Sequence, residues 1–194
     1  VAWERNRQRR RSYTAARIYN CNECSTRINI DGSPADWAKV NGVRLNADGD
    51  DRFNAVFKAV HRQGTLLVCY ETFGMGAFKN GGEDVRRLFK SGGCVDLKIA
   101  CNPEADPTRK GPVQGDLRVL LAPCRGNPVA VLYEAEKPGA PAAENTTFAT
   151  MVFRTEFDSV RPLAAAQVAY LPTERGYVVE AAIPMADLGL TIED

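Results

Sequence analysis

Apolar and polar residues alternate along most of this chain, and helical periodicity is scarce. From Phe53 to His61, Phe53, Ala55, Phe57 and Ala59 share one parity, while Asn54 and Lys58, with Arg62 beyond, hold the other. A period of two belongs to a strand with one buried face and one wet face. Gln63-Gly64 supplies a turn, and Thr65 to Thr72 returns as a more apolar strand suited to the middle of a sheet. Together they predict a β-hairpin. Val95, Leu97, Ile99 and Cys101 alternate against Asp96 and Lys98, and Leu117, Val119 and Leu121 repeat the pattern. Arg125-Gly126-Asn127 then turns the chain into Val129, Val131 and Tyr133. Met151 to Phe157, Leu163 to Tyr170 and Tyr177 to Ile183 close the series, the last two joined by Thr173-Glu174-Arg175-Gly176.

Near the start, Arg17-Ile18-Tyr19 and Arg27-Ile28-Asn29-Ile30 predict short strands, followed by a turn at Asp31-Gly32-Ser33-Pro34. A glycine-rich loop spans residues 73–82, and Glu83 to Lys90 has room for a helical turn. Polar and Pro-containing loops cover Asn102 to Gln114 and Lys137 to Asn145. Pro184 ends the last strand, leaving Met185 to Leu188 for one helical turn. About ten short strands with almost no amphipathic helix predict an all-β fold, an antiparallel β-sandwich of jelly-roll type.

Charge adds one feature to this outline. The 194 residues carry 25 basic and 24 acidic side chains, a net charge of +1, which is no footprint for a dedicated nucleic-acid binder. Arg5, Arg7, Arg9, Arg10, Arg11 and Arg17 crowd the beginning, opposed there only by Glu4. Residues 1–16 therefore read as a solvated Arg-rich arm or linker, whose charge also suits phosphates or an anionic polysaccharide, and residues 17–194 as the sandwich. No apolar run approaches the roughly 20 residues of a membrane span, so the chain is not expected to be membrane-embedded. With neither an initiator Met nor a signal peptide, it reads as a processed protein or an excised fragment. Six cysteines, including the Cys21-x-x-Cys24 pair, permit complete disulfide pairing, buried free thiols, or a zinc site gathered around the CxxC.

Two stretches at opposite ends carry a family signature. Ile30-Asp31-Gly32-Ser33-Pro34-Ala35-Asp36-Trp37 resembles the opening "IDG…(D/E)W" of family 9 carbohydrate-binding modules and their DOMON-like relatives. Gly176-Tyr177-Val178-Val179-Glu180-Ala181-Ala182-Ile183-Pro184, followed by Asp187-Leu188-Gly189-Leu190, resembles the family's closing "GY.vEaaIPw..LG". Between them, Phe53 to Tyr70 looks like its first long hairpin and Cys94-Val95-Asp96-Leu97 like its central strand, so the resemblance covers roughly residues 28–190. It implies a β-sandwich, often with bound calcium, in a secreted, cell-surface or periplasmic setting. Some relatives bind sugar ends and some DOMON-like ones bind haem. Met185 departs from the pattern, standing where the family commonly has an aromatic residue.

The residues suggest where such chemistry would sit. Sugar recognition needs an exposed aromatic platform and planar polar groups. Tyr70, Glu71, Phe73, Phe78, Lys79 and Asn80, around the end of a strand and the glycine-rich loop, are the expected ligand-binding set. Trp37 is expected to be structural, a plug at the end of the sandwich. Asn46, Asp48, Asp50 and Asp51 form an oxygen-rich stretch suited to calcium, the expected cofactor; Glu104 and Asp106 mark a second acidic loop. Haem is not expected: His61 and Met75 are the simplest axial pair, and no CxxCH motif occurs. Asn145-Thr146-Thr147 is a formal glycosylation sequon. With one histidine and none of the common catalytic motifs, no catalysis is expected. The sequence thus points to a non-catalytic module whose partner is a saccharide or polysaccharide. The alternative is an extracellular assembly domain making subunit contacts through its arm.

Overall fold

Strands account for most of the regular structure because the alternating segments leave each sheet an apolar face to bury. The computed structural model describes residues 21–47, 50–106, 108–149 and 154–191, with only the backbone at 46, 47 and 50–53. Among them the chain forms eleven strands: β1 Val43–Ala47, β2 Asp50–Arg62, β3 Thr65–Phe73, β4 Val95–Ala100, β5 Asp116–Cys124, β6 Asn127–Glu134, β7 Thr146–Ala149, β8 Arg154–Phe157, β9 Ser159–Pro162, β10 Gln167–Thr173 and β11 Gly176–Pro184. A five-stranded sheet runs β1-β2-β3-β11-β10, a four-stranded sheet runs β4-β5-β6-β9, and β7-β8 form a separate ribbon. Every pairing within them is antiparallel. The all-β sandwich expected from the sequence is the fold.

The predicted β2–β3 hairpin closes at Arg62↔Thr65 and runs to Asn54↔Phe73. Its two turn residues, Gln63 and Gly64, have φ of +49° and +73°. Positive φ at both positions matches the right-handed twist of the strands it joins.

The two sheets face each other across an apolar core. Val68, Val179, Ala181 and Ile183 from the larger sheet meet Val119, Leu121 and Leu132 from the smaller, all fully buried. Each sheet is also covered on its outer side. Over the four-stranded sheet, the 3-10 turn Val85–Lys90 brings Leu88, and the β7–β8 ribbon brings Phe148 and Phe157, onto Leu120, Val131, Tyr133 and Val160. Over the five-stranded sheet, Ile28 and Trp37 cover Val60, Leu67, Cys69 and Val178. Burial on both faces explains the near-continuous apolar runs of β3, β5 and β11. It also corrects the expectation of a wet face on β2, where Asn54 and Val60 are only 7% exposed.

The local predictions divide in the same way. Arg27–Ile30 joins no ladder, because its apolar residues lie on the outer face of an existing sheet; the predicted strand 17–19 and the arm 1–16 lie outside the described residues. Residues 163–166 form a turn, with the Ala166 N–H donating to Leu163 O, so the strand expected from Leu163 begins at Gln167. The cysteines, all described, are free thiols. Cys69, buried in mid-strand, has its pKa pushed up to about 12, chiefly by burial and then by the Glu180 and Glu71 carboxylates. Cys24 and Cys124 direct their sulfurs at carbonyl oxygens, 3.2 Å from Thr26 O and 3.7 Å from Gly82 O. Complete pairing is therefore not the arrangement found.

The outer layer of the five-stranded sheet is clasped by one carboxylate. Glu180, in the middle of β11, is fully buried. Its Oε1 accepts from Trp37 Nε1 at 2.5 Å, and its Oε2 accepts from the backbone N–H groups of Gly32 (2.5 Å) and Asp31 (3.1 Å). Gly32 has φ +87°, and a Cβ there would stand 2.8 Å from Leu171 Cγ, so only glycine admits this approach. Trp37, itself fully buried, thus has the structural role expected of it, on the face of the sheet and not at its end. The two family-like motifs meet at this clasp.

Burial raises the Glu180 pKa, although the donors from Gly32, Trp37 and Asp31 pull it partly back down. Glu180→Gln removes an acceptor, because one end of an amide carries only donors and must face either the indole or the Gly32 and Asp31 N–H groups. We expect this variant to lose about 1–3 kcal/mol in urea denaturation, the cost of a buried unsatisfied polar group. A carboxyl with a raised folded-state pKa contributes its full stability below the unfolded value and loses it as pH rises through the folded value. The advantage of Glu180 over Gln should therefore be largest in acid and shrink as pH rises above the ordinary carboxylate range. A constant advantage would show that the carboxyl does not titrate differently on folding.

Candidate ligand-binding cleft

Strand geometry separates the six residues expected to bind a ligand. Tyr70 and Glu71 are neighbours on β3 and so point to opposite faces. Tyr70 enters the inter-sheet core, 6% exposed, and its hydroxyl donates to Asp96 O at 3.1 Å. Glu71 lies on the outer side and pairs with Lys58 at 2.7 Å. Phe78 is buried, its ring 4.7 Å from that of Tyr177 and 5.2 Å from that of Tyr170. Asn80 staples its loop: its amide nitrogen donates to Leu88 O and Gly93 O, and its oxygen accepts from Gly82 N. Lys79 is exposed. Glu71 and Phe73 line a shallow hollow of about 300 Å³ with Pro34 and residues 173–175. The exposed aromatic platform expected here is not assembled, because Tyr70 and Phe78 are drawn into the core and leave Phe73 as the one half-exposed ring of the set.

The metal and haem candidates fare unevenly. Asn46 and Asp50 flank the β1–β2 connection, where Ala47 pairs with Asp50; Asp48 and the side chains of Asn46, Asp50 and Asp51 lie outside the described residues. Among the described residues no three His, Cys, Asp or Glu side chains converge to hold a metal, so Cys21 and Cys24 gather no zinc set there. His61 pairs with Leu66 at the turn end of β3, whereas Met75 follows the opposite end of that strand. At about 3.3 Å per residue the two are separated by roughly 20 Å and cannot share one iron.

A larger opening lies elsewhere, on the outer face of the four-stranded sheet. The cover of this sheet reaches Leu120, Val131, Tyr133 and Val160 and stops short of the end of the β4–β5 ladder at Lys98 and Arg118. There the surface opens into a cleft of about 660 Å³, a volume ordinary for small-ligand sites. Pro112, Ala135 and Phe157 supply apolar walls; Lys98, Arg109, Lys110 and Arg118 supply cations. Thr155 adds a hydroxyl.

Two of these cations are held in place. Arg118 makes a fork with Asp96, Nε to Oδ1 at 2.8 Å and Nη2 to Oδ2 at 2.9 Å. Its guanidinium carbon lies 5.0 Å from the centre of the Phe89 ring and 5.2 Å from that of Tyr133. Burial opposes the Arg118 charge, yet the Asp96 carboxylate more than offsets it and the net pKa shift is upward. Tyr133 is anchored in turn, its hydroxyl donating to Arg86 O at 2.9 Å. Arg109 is held by Asp116 through Nη2 at 2.7 Å and Nε at 3.2 Å, and its Nη1 donates to Asp106 O. Burial works to raise the Asp116 pKa, but the Arg109 guanidinium and the Val113 N–H prevail and lower it.

The sequence pattern contained part of this site. Asp96 and Lys98 were legible as the outward positions of β4, and Arg109 and Lys110 as part of a polar loop. That Lys98 stands directly opposite Arg118 depends on β4–β5 register, which alternation does not specify. No protein-family model matches the chain, and comparison with curated proteins finds no match.

Arg118→Lys tests the held guanidinium. It keeps the charge but loses the fork and the planar stacking. Because the ion pair is partly exposed, with side-chain exposures of 24% and 31%, we expect a loss of only about 1 kcal/mol in urea denaturation. An unchanged midpoint would mean that the pair is geometrically tidy but energetically idle.

Proposed function

We propose that this chain is a non-catalytic carbohydrate-binding module of a secreted or cell-surface protein, and that the saccharide lies in the cleft beside β4 and β5. The observation that carries this reading is the cleft itself. Apolar walls suit the CH faces of sugar rings, while immobilised guanidinium groups and Thr155 suit their oxygens. Donors already held by Asp96 and Asp116 lose little freedom on binding. The meeting of the two family-like end motifs at Glu180 adds support for the module reading.

The non-catalytic part of the proposal rests on the cleft's carboxylate. Asp116 is engaged by Arg109 and by Val113 N–H, with its pKa lowered, so it is poorly suited to give a proton to a leaving sugar oxygen. Calcium enters the proposal through Asn46, Asp48, Asp50 and Asp51, whose hard oxygen ligands match that ion.

A glycan-array screen of the intact chain, with calcium and again in chelator, tests the reading. We expect binding to a defined class of glycans; its loss in chelator would implicate the calcium set, and its persistence would separate calcium from recognition. Silence under both conditions from a folded sample would contradict the module and favour an assembly domain.

A further inference from the structure

We propose that the saccharide taken by the cleft is anionic, an oligosaccharide bearing carboxylate or sulfate groups; this rests on the carbohydrate-binding reading above. The argument is one of charge placement. Lys98 and Arg118 are direct cross-strand partners on the outer face of the β4–β5 ladder. Like charges placed opposite each other destabilise a sheet. Asp96 answers only one of them, since both of its oxygens are taken by Arg118. Lys98 has no ion pair among the described residues, and the same holds for Lys110, which also lines the cleft. Arg109 is already neutralised by Asp116.

The cleft therefore holds two uncompensated ammonium groups in a protein whose total charge is only +1. Arg118 adds a directed donor, because Asp96 occupies Nε and Nη2 and leaves Nη1 free of any hydrogen bond among the described residues. A neutral sugar would use the apolar walls but leave the two ammonium groups unanswered. An anionic group between Lys98 and Arg118 relieves their repulsion as it binds, so the favourable interaction is larger in the complex than in the free protein. Residues Pro112 and Ala135 remain available to the ring itself. Carboxylate and sulfate satisfy the same donors, and the experiment distinguishes them.

The test is an NMR titration of the intact chain with four probes. These are a tetrasaccharide of galacturonic acid, its methyl ester, a sulfated galactose tetrasaccharide and its desulfated form. Each pair differs in charge while keeping the sugar rings. We expect one or both acidic probes to bind at least about tenfold more tightly than their neutral partners, the effect of a single charge-assisted hydrogen bond. Amide shifts should centre on Lys98, Lys110 and Arg118, and the K98Q/K110Q variant should lose the preference. Both lysines are exposed, so this variant is expected to keep the wild-type spectrum elsewhere. Equal binding of neutral and acidic probes in the cleft would overturn the charge selectivity and leave the module reading standing. Acidic binding that survives in K98Q/K110Q and maps to residues 1–16 would overturn it in favour of the arginine arm. If no probe perturbs the cleft, the inference fails, while the reading beneath it stands or falls with the glycan array.

Discussion

A carboxylate buried beneath an outer layer is the constraint on which this fold turns. Glu180 is costly to bury and becomes acceptable only because three donors converge on it. Two of those donors are backbone N–H groups of a turn, and the third is an indole from the 3-10 turn Pro34–Trp37. The consequence is positional. Satisfying Glu180 holds residues 31–37 against β11, and that in turn keeps Trp37 and Ile28 over Val60, Leu67 and Val178. Without that layer the larger sheet would present an apolar outer face to water. The carboxylate therefore acts less as a source of stability than as a selector of where the N-terminal segment lies.

The opposite side of the sandwich is organised without such a polar centre. Leu88 and the Phe148 and Phe157 rings cover the four-stranded sheet mainly by packing, with Phe89 edge-on to both Tyr133 and Phe148 and the Tyr133 hydroxyl tied to Arg86 O. Packing covers as much of the sheet as the ribbon and the Val85–Lys90 turn can reach. The lower part of β4 and β5 remains open, and the residues there are those that tolerate water: Lys98, Asp116 and Arg118. The cleft is thus a boundary effect, formed where an apolar cover ends on a charged ladder.

This division also explains what was legible in the sequence. The β2–β3 hairpin, β4, β5, β6 and β11 declared themselves through alternation and turn residues, because those signals are local. Strands β1, β7 and β9 did not, being only four or five residues long. Alternation reports which residues share a face but not what lies over it, so the second buried face of β2 was invisible. The candidate site suffered most. Tyr70 and Phe78 were read as exposed because they border a glycine-rich loop, yet a large ring beside a core gains more from burial than from solvent. Trp37 was legible through its motif, whereas Lys98 and Arg118 become neighbours only through register.

Amide hydrogen exchange of the intact chain, with and without the galacturonic acid tetrasaccharide, tests most directly whether the outer β4–β5 face is where a ligand binds. The account predicts added protection in residues 96–118 and around 133–135, with residues 73–82 unchanged. Protection confined to residues 73–82, the glycine-rich loop that the sequence first suggested, would contradict it.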